Sequence, residues 1–286
     1  MDVIGAQDLW SFPEGVARAQ RRTCSQVRGG HAHFVGSFLE LATKIAELQF
    51  MNQSHVLLFR GQAGDYLNQK RNTMLKPSLF RSQVSGNPPS DLLIRRFDEL
   101  KAAEGLLVSC YEQAGFPGLE RLRRQQIVRW SILQHYEICP TPLLDVTHSL
   151  RIAASFASEN TDKDAFIFVI GVPNLSGAVT ASAEAGLQIV RLSSVCPPVA
   201  LRPHIQEGYL LGEYPEMGAY EQKQLYPAYE IDFGRRLVAK FRFDPGTFWK
   251  KDTFPRVAHR ALYPSSEADP LYKMAEEIKK QLHPNT

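Results

Sequence analysis

Arg60 follows the apolar run Val56-Leu57-Leu58-Phe59 and precedes Gly61 and Gln62. A guanidinium at the end of a buried strand can hold a phosphate bidentately, and a glycine beside it lets backbone approach a ligand. The plain alternative is an arginine emerging into solvent where its strand ends. Gln134-His135-Tyr136 closes a helical stretch and leads into Pro140-Thr141-Pro142-Leu143-Leu144-Asp145, a loop fixed by two prolines with a carboxylate after a buried leucine pair. His135 at a helix end also suits the helix dipole, and Asp145 would serve equally as a loop organiser. Thr147 and Ser149 open an alanine-rich helix, where hydroxyls and free amides make either an anion site or a simple cap. Gln206 and Glu207 precede the apolar run starting at Gly208-Tyr209, which places an amide and a carboxylate at the mouth of a strand or in a solvated turn. The P-loop, the dinucleotide GxGxxG, HExxH and GxSxG are all absent, which argues against P-loop phosphoryl transfer and serine hydrolysis.

The elements that must position these residues can be read from spacing. Apolar residues at Phe38, Leu39, Leu41, Ile45 and Leu48 predict a helix over 35–50, and 56–62 predicts a buried strand. Ser90 caps a helix over 91–113, and a second helix fits 118–136. A short strand is expected at Leu143–Val146, then a helix to Ser158. After 163 come short strands, at 165–172, 187–193, 208–213 and 236–243, and a last amphipathic helix at 267–282. Helices first and strands later, with no βαβ rhythm, predict an α+β fold. Residues 1–33, polar with a basic knot at Arg18, Arg21, Arg22 and Arg28, read as a loosely held arm.

Composition bounds the function classes. The 286 residues are 44% hydrophobic and 10% aromatic, opposite to a disordered chain, and no apolar run approaches the length that spans a bilayer. The start has no signal-peptide pattern, and four scattered cysteines without a CxxC make a metal or disulfide framework improbable; both predict a reducing cytoplasm. A net charge of +3 permits an anionic partner.

Taken together, the pieces resemble the FRG domain family, named for an aromatic-Arg-Gly tripeptide, here Phe59-Arg60-Gly61. The family's PSLFR-like element corresponds to Pro77-Ser78-Leu79-Phe80-Arg81, and its QHYGxPTxLLDxT segment to Gln134 through Thr147. Its alanine-rich helix is met at Ala153–Ala157, and its IxxQxGxF-like element at Ile205-Gln206-Glu207-Gly208-Tyr209. The resemblance covers roughly 35–283 and implies one domain, 34–286, behind the arm.

The tripeptide in turn looks like the one that opens the Arg-Ser-Glu class of ADP-ribosyltransferases. That likeness implies an ADP-ribosyltransferase-like mixed or antiparallel β core flanked by helices, with NAD as substrate and no metal. In those terms Arg60 holds the NAD phosphates with Gly61 and Gln62, Thr147 and Ser149 supply the hydroxyl element, and Glu207 or Gln206 is the third catalytic position. Tyr136 or Tyr209 would stack on nicotinamide, while His135 and Asp145 orient the loop or assist the acceptor. The expected activity is a toxin or anti-phage effector modifying nucleic acid, RNA first, tracked by Arg95, Arg121 and Arg124 and restrained by a protein antitoxin. An NAD glycohydrolase and a non-catalytic nucleotide- or partner-binding module are the alternatives.

Overall fold

The computed structural model describes residues 7–82, 88–159, 161, 163–174, 176–224, 231–250 and 254–284. Among the described residues the strands are β1 (Asp8–Ser11), β2 (Gln20–Thr23), β3 (His33–Phe34), β4 (Val56–Gln62), β5 (Leu144–Thr147), β6 (Ala165–Val172), β7 (Val179–Ser182), β8 (Leu187–Arg191), β9 (Gly208–Glu213) and β10 (Leu237–Phe243). The helices that matter to the site are α1 (Phe38–Met51), α2 (Ser90–Gln113), α3 (Leu119–Arg124), α4 (Gln126–His135), α5 (Leu150–Ala157), α6 (Leu201–Ile205) and α7 (Pro270–Leu282).

Eight strands form one mixed sheet in the order β3-β10-β6-β4-β5-β9-β8-β7. All pairs are antiparallel except β10 with β3, so the α+β expectation holds. Both faces are covered. Along β4 the period-two alternation of a strand sends Leu57 and Phe59 into one apolar core and Leu58 into the other. The first core contains residues of α1 and α5; the second contains those of α2, α4 and α7. That is why 56–59 reads as an unbroken apolar run rather than an alternating one.

Two expectations change. The helix over 118–136 is broken at Gln125, whose backbone is extended. Arg129 Nη1 donates to the carbonyls of Leu122 and Arg123, taking acceptors that a continuous helix would spend on its own amides. Residues 8–29 are not a loose arm: β1 and β2 pair, Leu9, Phe12, Cys24 and Val27 are buried, and Arg28 pairs with the fully buried Asp232. Among the described residues no helix is long and apolar enough to cross a membrane.

Candidate functional site

The central sheet forks. β4 pairs with β6 from Val56 to Gln62, and β5 pairs with β9 from Leu144 to Thr147, yet β4 and β5 meet only at Phe59 opposite Thr147. Beyond that point the two strands part, and a cavity of about 910 Å³ opens between Arg60-Gly61-Gln62 on one side and Asp145-Val146-Thr147 on the other. Where neighbouring strands separate, backbone groups lose ladder partners and must find others. Arg60 supplies one, its Nη1 donating to the Asp145 carbonyl at 2.6 Å and bridging the fork.

A polar chain holds the far wall. Gln134 Nε2 donates to Asp145 Oδ2 at 2.7 Å, while its Oε1 accepts from Thr141 Oγ1 at 2.6 Å and Ser78 Oγ at 3.0 Å. With both ends of the amide engaged, the Asp145 carboxylate is fixed in place. His135 Nδ1 stands 3.6 Å from Asp145 Oδ1, a long polar contact. A Cβ on Gly208 would come within 3.4 Å of the His135 ring and 2.8 Å of Leu192, so the glycine makes room for the imidazole.

Charge states follow from these neighbours. Burial, and then the positive charge of Arg81, push the Arg60 guanidinium down to about 10 against the pull of Asp145, so it remains protonated at neutral pH. Burial raises the Asp145 carboxyl, but His135, Arg60 and Gln134 together outweigh it and hold it below the usual carboxylate value. Burial lowers His135, assisted by Arg202 and opposed by Asp145, which leaves the ring neutral at pH 7. Among the described residues neither Arg60 nor Arg81 has a carboxylate within ion-pairing distance. Arg60 Nε, Gln62 Oε1, His135 Nε2 and Arg202 Nε are buried without hydrogen-bond partners, and all four belong to residues of this one cavity wall.

Arg60, Gly61, Gln62, His135, Asp145, Thr147 and Gln206 therefore come together as expected. Gly61 has a different task from the one foreseen. A Cβ there would lie 1.9 Å from the Ala153 carbonyl oxygen, so its bareness admits helix α5 rather than a ligand. Thr147 Oγ1 donates to the Gln206 carbonyl at 2.8 Å and accepts from Ser149 N at 3.0 Å, so the hydroxyl ties β5 to the turn before β9.

The remaining expected residues lie outside the wall. Glu207 is exposed, with φ +46, and the same turn buries Gln206, whose Nε2 donates to the Leu262 carbonyl at 2.7 Å. Tyr136 is fully buried and donates to Asp269 Oδ2 at 3.0 Å, so it cannot stack on a ligand in the cavity. Tyr209 packs edge-on against His148, and Ser149 makes no side-chain cap. Arg95 pairs with Asp91, Arg124 with Glu120, and Arg121 donates to the Ser194 carbonyl; none of the three lines the cavity.

Sequence spacing assigns no site role to Arg81, Glu137, Arg202 or Tyr263, all in the wall. Arg81 carried a signal, a charge directly after the apolar pair Leu79-Phe80; Arg202 and Tyr263 reach the site only through the tertiary fold.

No curated protein and no solved structure matches the chain. Residues 55–165 match the FRG domain family, a span running from the start of β4 to the first residue of β6 and including Arg60, Arg81, His135 and Asp145. That span is thus similar to an FRG domain, and the fork between β4 and β5 lies within it.

Proposed function

We propose that the fork binds the diphosphate of NAD and that the protein transfers ADP-ribose from it, with Asp145 as the carboxylate at the reacting ribose. The supporting observation is the pairing of two adjacent guanidiniums, Arg60 and Arg81, lacking carboxylate partners, with an ionised, rigidly held acid in the same cavity. Bidentate arginines are suited to phosphoryl oxygens. Breaking the nicotinamide–ribose bond sends its electron pair to nicotinamide and develops positive charge on the ribose, as in glycoside cleavage. A carboxylate that needs no reorganisation lowers the energy of that charge. The acceptor then attacks the ribose carbon and loses its proton. In this reading His135 and Gln134 position Asp145, and Glu207 takes no part. No acceptor class is assigned, because Arg95, Arg121 and Arg124 are engaged elsewhere.

One observation favours a second reading, a nucleotide-binding module without turnover. The wall position before β9 is occupied by Gln206, where the transferase pattern calls for an acid. Incubating the protein with labelled NAD and cell lysate separates the two. The transferase reading expects label to move onto an acceptor and Asp145→Asn to lower turnover by about 10²-fold or more, the scale for losing a positioned charge. Binding of NAD with no consumption overturns turnover and leaves the binding module; label found only as free ADP-ribose makes water the acceptor.

A further inference from the structure

Arg202 is built into the same wall in an unusual way. Its side chain is 9% exposed, and its guanidinium lies 5.6 Å from the Tyr136 ring centroid and 4.8 Å from that of Tyr263. Buried guanidiniums are normally held by several acceptors or a bidentate carboxylate. Here Nη2 donates to Glu137 Oε1 at 2.9 Å, while Nε is buried without a partner. Glu137 itself is 66% exposed and sits in the left-handed region at φ +54, a conformation that favours glycine. A strained residue at a cavity thus offers a replaceable, single-bonded carboxylate to a cation prepared for more.

We propose that Arg202 forms a second anion subsite in the cavity, with Glu137 standing in for the anion until a ligand arrives. The proposal rests on reading the fork as an NAD site and deepens it: the dinucleotide is one carrying a further phosphate, with its diphosphate on Arg60 and Arg81 and the additional phosphoryl group on Arg202. A phosphoryl group offers several acceptor oxygens and can engage more of the guanidinium than Glu137 does. The displaced carboxylate is already mostly in water, so its release requires little new solvation. Glu137 therefore filters ligands, yielding to a dianion and opposing anything weaker.

Calorimetric titration of the full chain with adenosine 2′,5′-bisphosphate and with adenosine 5′-monophosphate tests this. Glu137→Gln is expected to tighten the bisphosphate about tenfold and to change the monophosphate less than twofold. Arg202→Lys, with its fold checked by thermal melting, should erase the difference between the two nucleotides. An unchanged bisphosphate affinity in Glu137→Gln, equal tightening of both nucleotides, or a difference that survives Arg202→Lys overturns the second subsite; so does failure of both nucleotides to bind. The Glu137→Gln result stands even if the Arg202 variant does not fold. Normal behaviour of both variants with no NAD turnover overturns the transferase reading alone.

Discussion

Two cations on strands of the sheet separated by β6 meet their surroundings differently. Lys240 on β10 is 3% exposed and its ammonium donates to Asp65 Oδ2 at 2.9 Å, Thr73 Oγ1 at 2.8 Å and the Arg28 carbonyl at 3.2 Å. Three donors meet three acceptors, and nothing is left for a ligand. Arg60 on β4, with five N–H donors, bonds one carbonyl and leaves Nε unpartnered. Burying a charge is costly unless it is paired and bonded, so an incompletely satisfied arginine is a cost the fold bears for binding. Lys240 holds the N-terminal segment to the sheet; Arg60 faces a cavity.

The sharpest way to break this contrast is to remove each cation. Lys240→Met leaves Asp65 without its cation and should cost about 3–5 kcal/mol in urea denaturation. Arg60→Met should lower stability by no more than about 1 kcal/mol while abolishing measurable binding of ADP, since sites built for ligands are often destabilising. Equal stability losses for the two would erase the distinction. Gly61→Ala comes next: a methyl driven against the Ala153 carbonyl should cost about 3 kcal/mol, the upper end of ordinary overpacking, read from the same denaturation curves. The smallest effect is on pH dependence. His135 is lowered in the folded state, so below about 6.5, its ordinary value, the unfolded chain binds the extra proton first and stability falls with falling pH. His135→Gln should flatten that decline between pH 7.5 and 5.5; an unchanged slope would mean that the ring titrates normally. Asp145 is lowered too, so its contribution is lost only as pH drops through its depressed value, well below that window.

Much of this was legible in the chain because it is local. The run from Val56 to Phe59 announced a strand covered on both faces, and a charge at its end marked Arg60. The Gln134–Asp145 segment kept its meaning because both ends of one loop bond each other across eleven residues. The register at Gln206 and Glu207 was not legible, because a single left-handed residue at φ +46 reverses which neighbour faces inward, and no periodicity records that. Residues 8–29 were misread for a related reason. Gln20, Arg21 and Arg22 look like a solvated tail until β1 pairs with them, and the burial of Leu9 and Phe12 exists only in the tertiary fold. Glu137 stands where the family pattern has glycine, and its positive φ gives the reason for that glycine, though the chain alone did not say that the substituted side chain would reach Arg202.

The contact between Gly61 and Ala153 limits how this cavity can change over evolutionary time. With no space between strand and helix there, the wall behind Arg60 cannot be resized by ordinary substitution. Accommodation of a different ligand falls instead to wall residues from irregular segments outside the sheet, Tyr66, Arg81, Glu137 and Tyr263 among them. Homologous chains with altered preference should therefore vary at those positions while keeping the small residue at 61, one immobile jaw serving many partners.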